Sequence, residues 1–196
     1  MRENKTMKIV LASASERRKE IFGLTGLEFT VKESGAEEHM NAGVPPRRLA
    51  RMLSRQKAAA VAAQEKNAIV IAADTFTIIN GLYLGKARDQ AEARAMLRKL
   101  NGKKHLVITG YTVTDSSTGR SISGFSETRV YFRRLGRQEI DSYIRTGEPI
   151  GKAGAYAIQG LGAVLVRKIE GDFFNVVGLP LSALMNTLKK FGIRAI

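Results

Sequence analysis

AIVIAADTFTIINGLYLGK, residues 68–86, begins as a strand, turns and comes back. Its opening AIVIAADT is a short apolar run rich in β-branched side chains, the pattern of a buried strand. The run ends on a carboxylate, Asp74, with Thr75 beside it. Asn80-Gly81 then stands between TFTII and LYLG, a pair that favours a two-residue hairpin because both turn positions need positive φ. The hairpin folds Lys86 back toward the Asp74 strand end, so an anion and a cation meet. In α/β proteins strand ends open into the ligand crevice, where a carboxylate suits metal binding or activation of a water. A turn-former capping the strand, with a simple Asp74–Lys86 salt bridge, accounts for the same residues equally well.

Outward from this hairpin, KIVLA at 8–12 and LEFTVK at 27–32 read as further strands. Helices are expected at 16–24, 46–64, 89–100, 137–146 and 180–192. The second follows Pro45-Pro46 and carries Leu49, Met52, Leu53 and Ala60 on one apolar face. The third opens on Asp89 with Glu92 three residues on, a capping box, and stops at Asn101-Gly102. The last has Pro180 near its first turn and Leu181, Leu184, Met185 and Leu188 as its buried stripe. A second hairpin runs from LVITGYTVTD through SSTG to SISGFSETRVYFRRL, and GAYAIQG and AVLVRKIEG supply two more expected strands. Helices interspersed with hairpins predict an α/β fold with a mixed sheet, not a purely doubly wound one. No repeat or Pro/Ser-rich linker divides the chain, so 7–196 reads as one domain and 1–6 as a flexible extension.

LASASERRKE, residues 11–20, runs from the first strand into the first helix. Arg17, Arg18 and Lys19 open that helix at the positive end of its dipole, the unfavourable sign, and an arriving anion would reverse that cost. With Ser13 and Ser15 they form a candidate phosphate seat; solvated arginines on a surface helix are an equal reading. Glu37-Glu38 make a second acidic point, which on the residues alone is a solvated loop. Lys57 heads KAAAVAA, and Ser54 to Lys57 matches S-x-x-K, but no K-T-G or S-D-N partner exists to make it a serine-acylation site. TGEPIGKAGAYAIQGLGAV, 146–164, is rich in glycine, yet its spacing and Ala153 exclude a Walker A loop.

Composition narrows the classes. The chain of 196 residues, 44% hydrophobic and 26% charged, can bury a sizeable core. It has no cysteine, which excludes disulfides and thiol nucleophiles, and only His39 and His105, which leaves histidine zinc sites and hydrolase triads unsupported. No run reaches signal or transmembrane length, so a soluble cytoplasmic protein without membrane contact is expected. The net charge of +14 favours anionic partners. The bases come as scattered pairs without interleaved aromatics, so nucleic acid is not the expected one.

Six stretches in order resemble the Maf (septum formation) family of nucleoside triphosphate pyrophosphatases, from about residue 8 to 193. They are LASASERR, IAADT, NGLYLGK, NGKKHLVITG, KAGAYAIQGLGA and IEGDFFNVVGLPL. The resemblance implies an inosine-triphosphatase-like fold, an elongated mixed sheet flanked by helices, with two lobes around a nucleotide cleft. It implies hydrolysis of a nucleoside triphosphate to the monophosphate and pyrophosphate by water attacking the α-phosphorus. A divalent cation, Mg²⁺, Mn²⁺ or Co²⁺, and basic residues would hold the phosphates. Asp74 matches the family's proton acceptor, Glu38, Lys57 and Lys86 its polar cleft residues, and Ser13, Arg17 and Arg18 its phosphate side. Glu38 and Asp74 are the expected metal ligands, and a homodimer is left open.

Arg18, Thr75 and Gln159 resemble the branch acting on dTTP and UTP rather than the one acting on 7-methyl-GTP. A threonine hydroxyl and a glutamine amide can pair with a pyrimidine edge. The resemblance also carries an expected house-cleaning role and a link to cell-division arrest. Three positions depart from the pattern: Glu16 and Ala87 replace prolines, and Gly151 replaces an aspartate before K-A-G. The alternative is a catalytically weak basic protein that binds nucleic acid or a cell-division partner.

Overall fold

The computed structural model describes residues 7–36 and 43–195. The expected extension at 1–6 and the acidic pair Glu37-Glu38 lie outside the described residues. The chain runs β1 (Lys8–Leu11), α1 (Glu16–Gly23), β2 (Thr30–Val31), α2 (Pro46–Ala62), β3 (Ala68–Ile79) and β4 (Leu82–Leu84). It continues α3 (Gln90–Leu100), β5 (Lys104–Asp115), β6 (Ser121–Phe132), α4 (Arg137–Arg145), β7 (Val166–Glu170), α5 (Phe173–Val177) and α6 (Leu181–Leu188). The seven strands form one sheet in the order β2-β1-β3-β5-β6-β7, with β4 also on β3. β1 is parallel to β2 and β3, and all other pairs are antiparallel. The mixed α/β sheet expected from the alternation is therefore present.

β3 is buried along nearly all of its length because both of its faces are covered, and its first six residues are apolar. Val70 and Ala72 pack with Ala58 and Val61 of α2, and Phe76 packs with Leu49 and Leu53 of the same helix. On the opposite face Ile69, Ile71 and Ala73 meet Ile21 and Phe22 of α1 and Leu184 and Leu188 of α6. Each of the larger side chains among these, Val, Leu, Ile or Phe, contributes about 1.5–3 kcal/mol when fully buried. Gly110 lets α2 settle onto β5, because a β-carbon there would stand 2.0 Å from the Ala50 carbonyl oxygen. This close seat fixes the height at which α2 carries Lys57 over β3.

Several expectations need correcting. The strand over 27–32 shortens to Thr30–Val31, and the last helix ends at Leu188 before a 3₁₀ turn, Lys189–Phe191. GAYAIQG is a loop, because Gly154 and Ala155 take φ of 69° and 61°, which no strand accommodates. AVLVRKIEG divides, with a 3₁₀ turn at Leu161–Leu165 preceding β7. The five-residue α5 is too short for periodicity to reveal, although its cap is legible: the Asp172 side chain accepts from the Phe174 N–H at 2.8 Å.

One topological feature positions everything that follows. β1 accompanies β3 from Lys8↔Ala68 to Leu11↔Ile71, and β4 takes over the same edge only at Thr77↔Leu84. Among the described residues, 72–76 of β3 thus have no strand partner on that side, and the edge changes from parallel to antiparallel pairing across the gap. Among the described residues, no helix is long and apolar enough to cross a membrane.

Candidate functional site

A cleft of about 800 Å³ opens at this gap. The loop after β1 brings Ser13 to it, α1 brings Arg17 and Arg18, and α2 brings Lys57. β3 contributes Thr75 and Thr77, and the segments around 86 and 151–159 close the far side with Lys86, Lys152 and Gln159. Lys86 and Lys152 are brought together by backbone. The Gly151 N–H donates to the Ala87 carbonyl at 2.8 Å, the Ala87 N–H to Lys152 at 3.3 Å, and the Gly154 N–H to Gly85 at 3.0 Å. Gly154 has to be glycine here, since a β-carbon would meet the Thr77 hydroxyl at 2.8 Å.

Asp74 is almost wholly buried, and its Oδ1 accepts from the Lys57 ammonium in a buried ion pair. Lys57 thus pairs with Asp74, where the hairpin alone had pointed to Lys86. Lys57 lines the cleft, whereas Asp74 itself is not among the wall residues. Alternation explains this: Asp74 and Phe76 point toward α2, and Thr75 and Thr77 toward the other face of β3. Burying either charge alone would be costly, and the pair offsets that cost only while both members stay.

Arg18 turns inward from α1. Its Nε donates to the Gly178 carbonyl at 2.8 Å, one terminal nitrogen to the Thr75 hydroxyl at 3.0 Å, and the other to Ser13 Oγ at 3.4 Å. The chain of hydroxyls continues to Thr109. Thr109 donates to the Asn175 carbonyl at 2.9 Å, which leaves it to accept from Thr75, also at 2.9 Å. Thr75 can donate to Thr109 or to the Gly178 carbonyl at 3.5 Å while it accepts from Arg18, and either way one lone pair of its hydroxyl remains. Asn175 closes the network by donating to Val107 at 3.1 Å and to the Thr128 hydroxyl at 2.9 Å. The opening run of bases thus splits: Arg18 is a pin, Arg17 stays half-buried on the cleft wall, and exposed Lys19 pairs with Glu16 at 3.5 Å.

Cationic charge dominates the far wall. Partial burial and then the nearby Arg17 push the Lys152 ammonium below its ordinary value, with Lys86 adding to the effect and Glu148 opposing it. Cations that raise each other's energy in this way favour a multiply charged anion between them. Lys152 stands in the KAGAYAIQGLGA motif without having been singled out by sequence; only the backbone pairing with 85–87 reveals its proximity to Lys86. Gln159 is exposed on the cleft wall, and Gly151 has open space beyond its α-carbon at φ 72°.

The described residues hold no cluster of three His, Cys, Asp or Glu side chains fit to cage a metal. Glu16, Glu20 and Glu33 line the cleft and Asp74 lies buried beside it on Lys57. Hard carboxylates near phosphate-seeking cations suit an ion of the magnesium type, which binds one or two carboxylates and completes its shell with substrate oxygens and water. Glu38, the other expected ligand, lies outside the described residues.

Fold and cleft together define an α/β protein built around a small-molecule site of positive charge. The chain belongs to the Maf family: the family model described as Maf-like protein matches residues 8–191. A dTTP/UTP pyrophosphatase of Thermoanaerobacter sp. (strain X514) is 50% identical over 190 residues, covering 96% of this chain and 99% of that one. The dTTP/UTP pyrophosphatase of Methanosarcina barkeri is 48% identical over 186 residues, covering 94% of each. Among solved structures, a nucleoside-triphosphatase (dITP/XTP pyrophosphatase) of Mycobacterium abscessus aligns over 94% of this chain and 98% of that one, with 14% identity and a TM-score of 0.47.

Proposed function

We propose that this protein hydrolyses pyrimidine nucleoside triphosphates, dTTP and UTP foremost, to the monophosphate and pyrophosphate. The observation that carries the reading is the cleft at the β1–β4 gap, where Arg17, Lys86 and Lys152 face the space beside the Lys57–Asp74 pair. Its support is membership of the Maf family and the names of relatives sharing about half of the sequence over nearly the whole chain.

In this reading the triphosphate lies along the cationic wall, held by Arg17, Lys86 and Lys152, with Ser13 at the entrance of α1. Lys57 orients the Asp74 carboxylate from the cleft side. Asp74 takes the proton of the water that attacks the α-phosphorus, the α–β anhydride bond breaks, and pyrophosphate leaves from the cationic wall. A divalent cation held by Asp74 and Glu38 would neutralise developing charge on the phosphate oxygens. Mg²⁺, Mn²⁺ and Co²⁺ are the ions to try.

Thr75 carries the preference for base. As an acceptor it suits the N3–H of uracil or thymine and meets only a lone pair on the N3 of cytosine. Gln159 supplies the complementary amide, and Arg18 keeps Thr75 in position. The same reading includes a house-cleaning role in the cytoplasm, with a homodimer as an open assembly. Pyrophosphate release from dTTP, UTP, CTP, GTP and 7-methyl-GTP, with each ion, tests it. The expected ranking puts dTTP and UTP first and CTP well below. Silence on all five nucleotides, together with nucleic-acid affinity that falls steeply with salt, would replace it with the basic binding protein.

A further inference from the structure

Gln159 makes no hydrogen bond among the described residues, yet both arms of the loop that carries it are fastened to one side-chain pair. On the near arm, the Ala157 N–H donates to the Tyr143 hydroxyl at 3.1 Å. That hydroxyl in turn donates to Glu148 Oε2 at 2.7 Å. On the far arm, the Leu161 N–H donates to Glu148 Oε1 at 2.9 Å and the Gly162 N–H to Oε2 at 2.8 Å. Two glycines make room for this. A β-carbon on Gly160 would stand 2.2 Å from Glu148 Oε1, and one on Gly162 would stand 2.6 Å from the Tyr143 hydroxyl. Beyond the Gly154 N–H bond to Gly85 the segment forms no strand ladder among the described residues, and these bonds stand in place of the strand pairing expected for GAYAIQG.

The anchor is rigid at its base. Tyr143 is buried on α4 within the core that includes Leu97, Ile140 and Leu165. Glu148 follows the helix by a short turn, which the Thr146 hydroxyl caps by donating to the Tyr143 carbonyl at 2.6 Å. Partial burial works to raise the Glu148 carboxyl. The Tyr143 hydroxyl, the two backbone N–H groups and the nearby Arg17 outweigh it and hold the group below its ordinary range. A carboxylate that stays ionised accepts all these bonds at once; an amide in its place would turn a donor toward them.

We propose that Tyr143 and Glu148 form a clamp that determines base specificity, by fixing the loop tip so that Gln159 meets the substrate's base edge in one orientation. The proposal rests on the pyrimidine triphosphate reading above. Glu148 and Tyr143 are positioning residues, since neither lines the cleft among the described residues. The clamp links core packing in α4 to recognition at the cleft, through three backbone N–H groups that flank Gln159.

The test compares kcat and KM for UTP, CTP and GTP in wild type, Glu148→Gln, Gln159→Ala and the double variant, with melting temperatures alongside. For Glu148→Gln, KM for UTP rises about tenfold with a much smaller change in kcat, and the preference for UTP over CTP and GTP falls by a similar factor. The double variant loses no more preference than Gln159→Ala alone, because both changes remove one recognition element. Tyr143→Phe, which keeps the ring in its core site, shifts the preference the same way and serves if Glu148→Gln does not fold. Unchanged preference in active variants, or additive losses in the double variant, overturns the clamp even if melting temperatures fall. A wild type inactive on every nucleotide overturns the underlying reading and the clamp with it.

Discussion

Lys57 of α2 places its ammonium on the Oδ1 of Asp74 in β3, and this ion pair joins the most buried acid of the cleft region to its wall. The two residues are 17 positions apart and meet because Gly110 lets α2 lie directly on the sheet. The pair has a structural and a chemical role, and the two can be separated. Asp74→Asn removes the Asp74 charge from the buried Lys57 ammonium and is expected to destabilise by about 3–5 kcal/mol while abolishing turnover. Adding Lys57→Met removes the buried ammonium and recovers most of that stability, with no recovery of turnover. Urea unfolding and pyrophosphate release on both variants check this; any return of activity in the double variant would remove Asp74 from the chemistry.

Arg17 and Arg18 are neighbours in sequence with opposite assignments. Arg18→Lys loses the forked contact to Gly178, Thr75 and Ser13, and should cost about 2–3 kcal/mol of stability. Arg17→Ala should leave stability within about 0.5 kcal/mol, as expected away from packed or bonded features, and raise KM for the nucleotide. Thermal melts paired with steady-state kinetics distinguish the two, and equal destabilisation by both would contradict the assignment.

Gly110→Ala tests how α2 is seated. The added methyl would approach the Ala50 carbonyl oxygen to 2.0 Å, so helix and strand must separate. The expected cost is about 3 kcal/mol or more. Activity should fall further than the loss of folded protein accounts for, since Lys57 moves with the helix. Calorimetry and specific activity per folded molecule measure the two effects.

His105 gives the fold a dependence on acid. Its Nε2 lies 2.9 Å from the Tyr156 hydroxyl, its Nδ1 has no hydrogen-bond partner among the described residues, and burial pushes its pKa down to about 4. The unfolded chain binds a proton at the ordinary value of about 6.5 while the folded chain still refuses it. The resulting stability is fully present above about pH 6.5 and is lost as the pH falls toward 4. Between about pH 7.5 and pH 5 roughly 2 kcal/mol should disappear. Urea midpoints across that range in wild type and His105→Gln check it, the variant giving the flatter profile.

Much of this was readable from the chain because local chemistry and final structure agree. The AIVIAADT run, the Asn80-Gly81 turn and the Asp89 cap each act within a few residues, and each appears as expected. The cationic start of α1 was legible as an anomaly of sign, but not that Arg18 would turn inward, since its partners Thr75 and Gly178 lie 57 and 160 residues away. GAYAIQG reads as a strand by composition. What defeats that reading is a tertiary clamp from Tyr143 and Glu148 and two residues in the left-handed region, neither of which has a periodic signature. Lys152 shows the same limit: its neighbour Lys86 is near it only through backbone pairing between distant loops.

The central claim is that water attacks the α-phosphorus of a nucleoside triphosphate in the cleft beside Asp74. Hydrolysis of UTP in ¹⁸O-labelled water, followed by mass spectrometry of the products, tests it most directly. The account predicts one labelled oxygen in UMP and none in pyrophosphate, with turnover lost in Asp74→Asn. Label in orthophosphate or in pyrophosphate, or label in UMP that persists in Asp74→Asn, would contradict it.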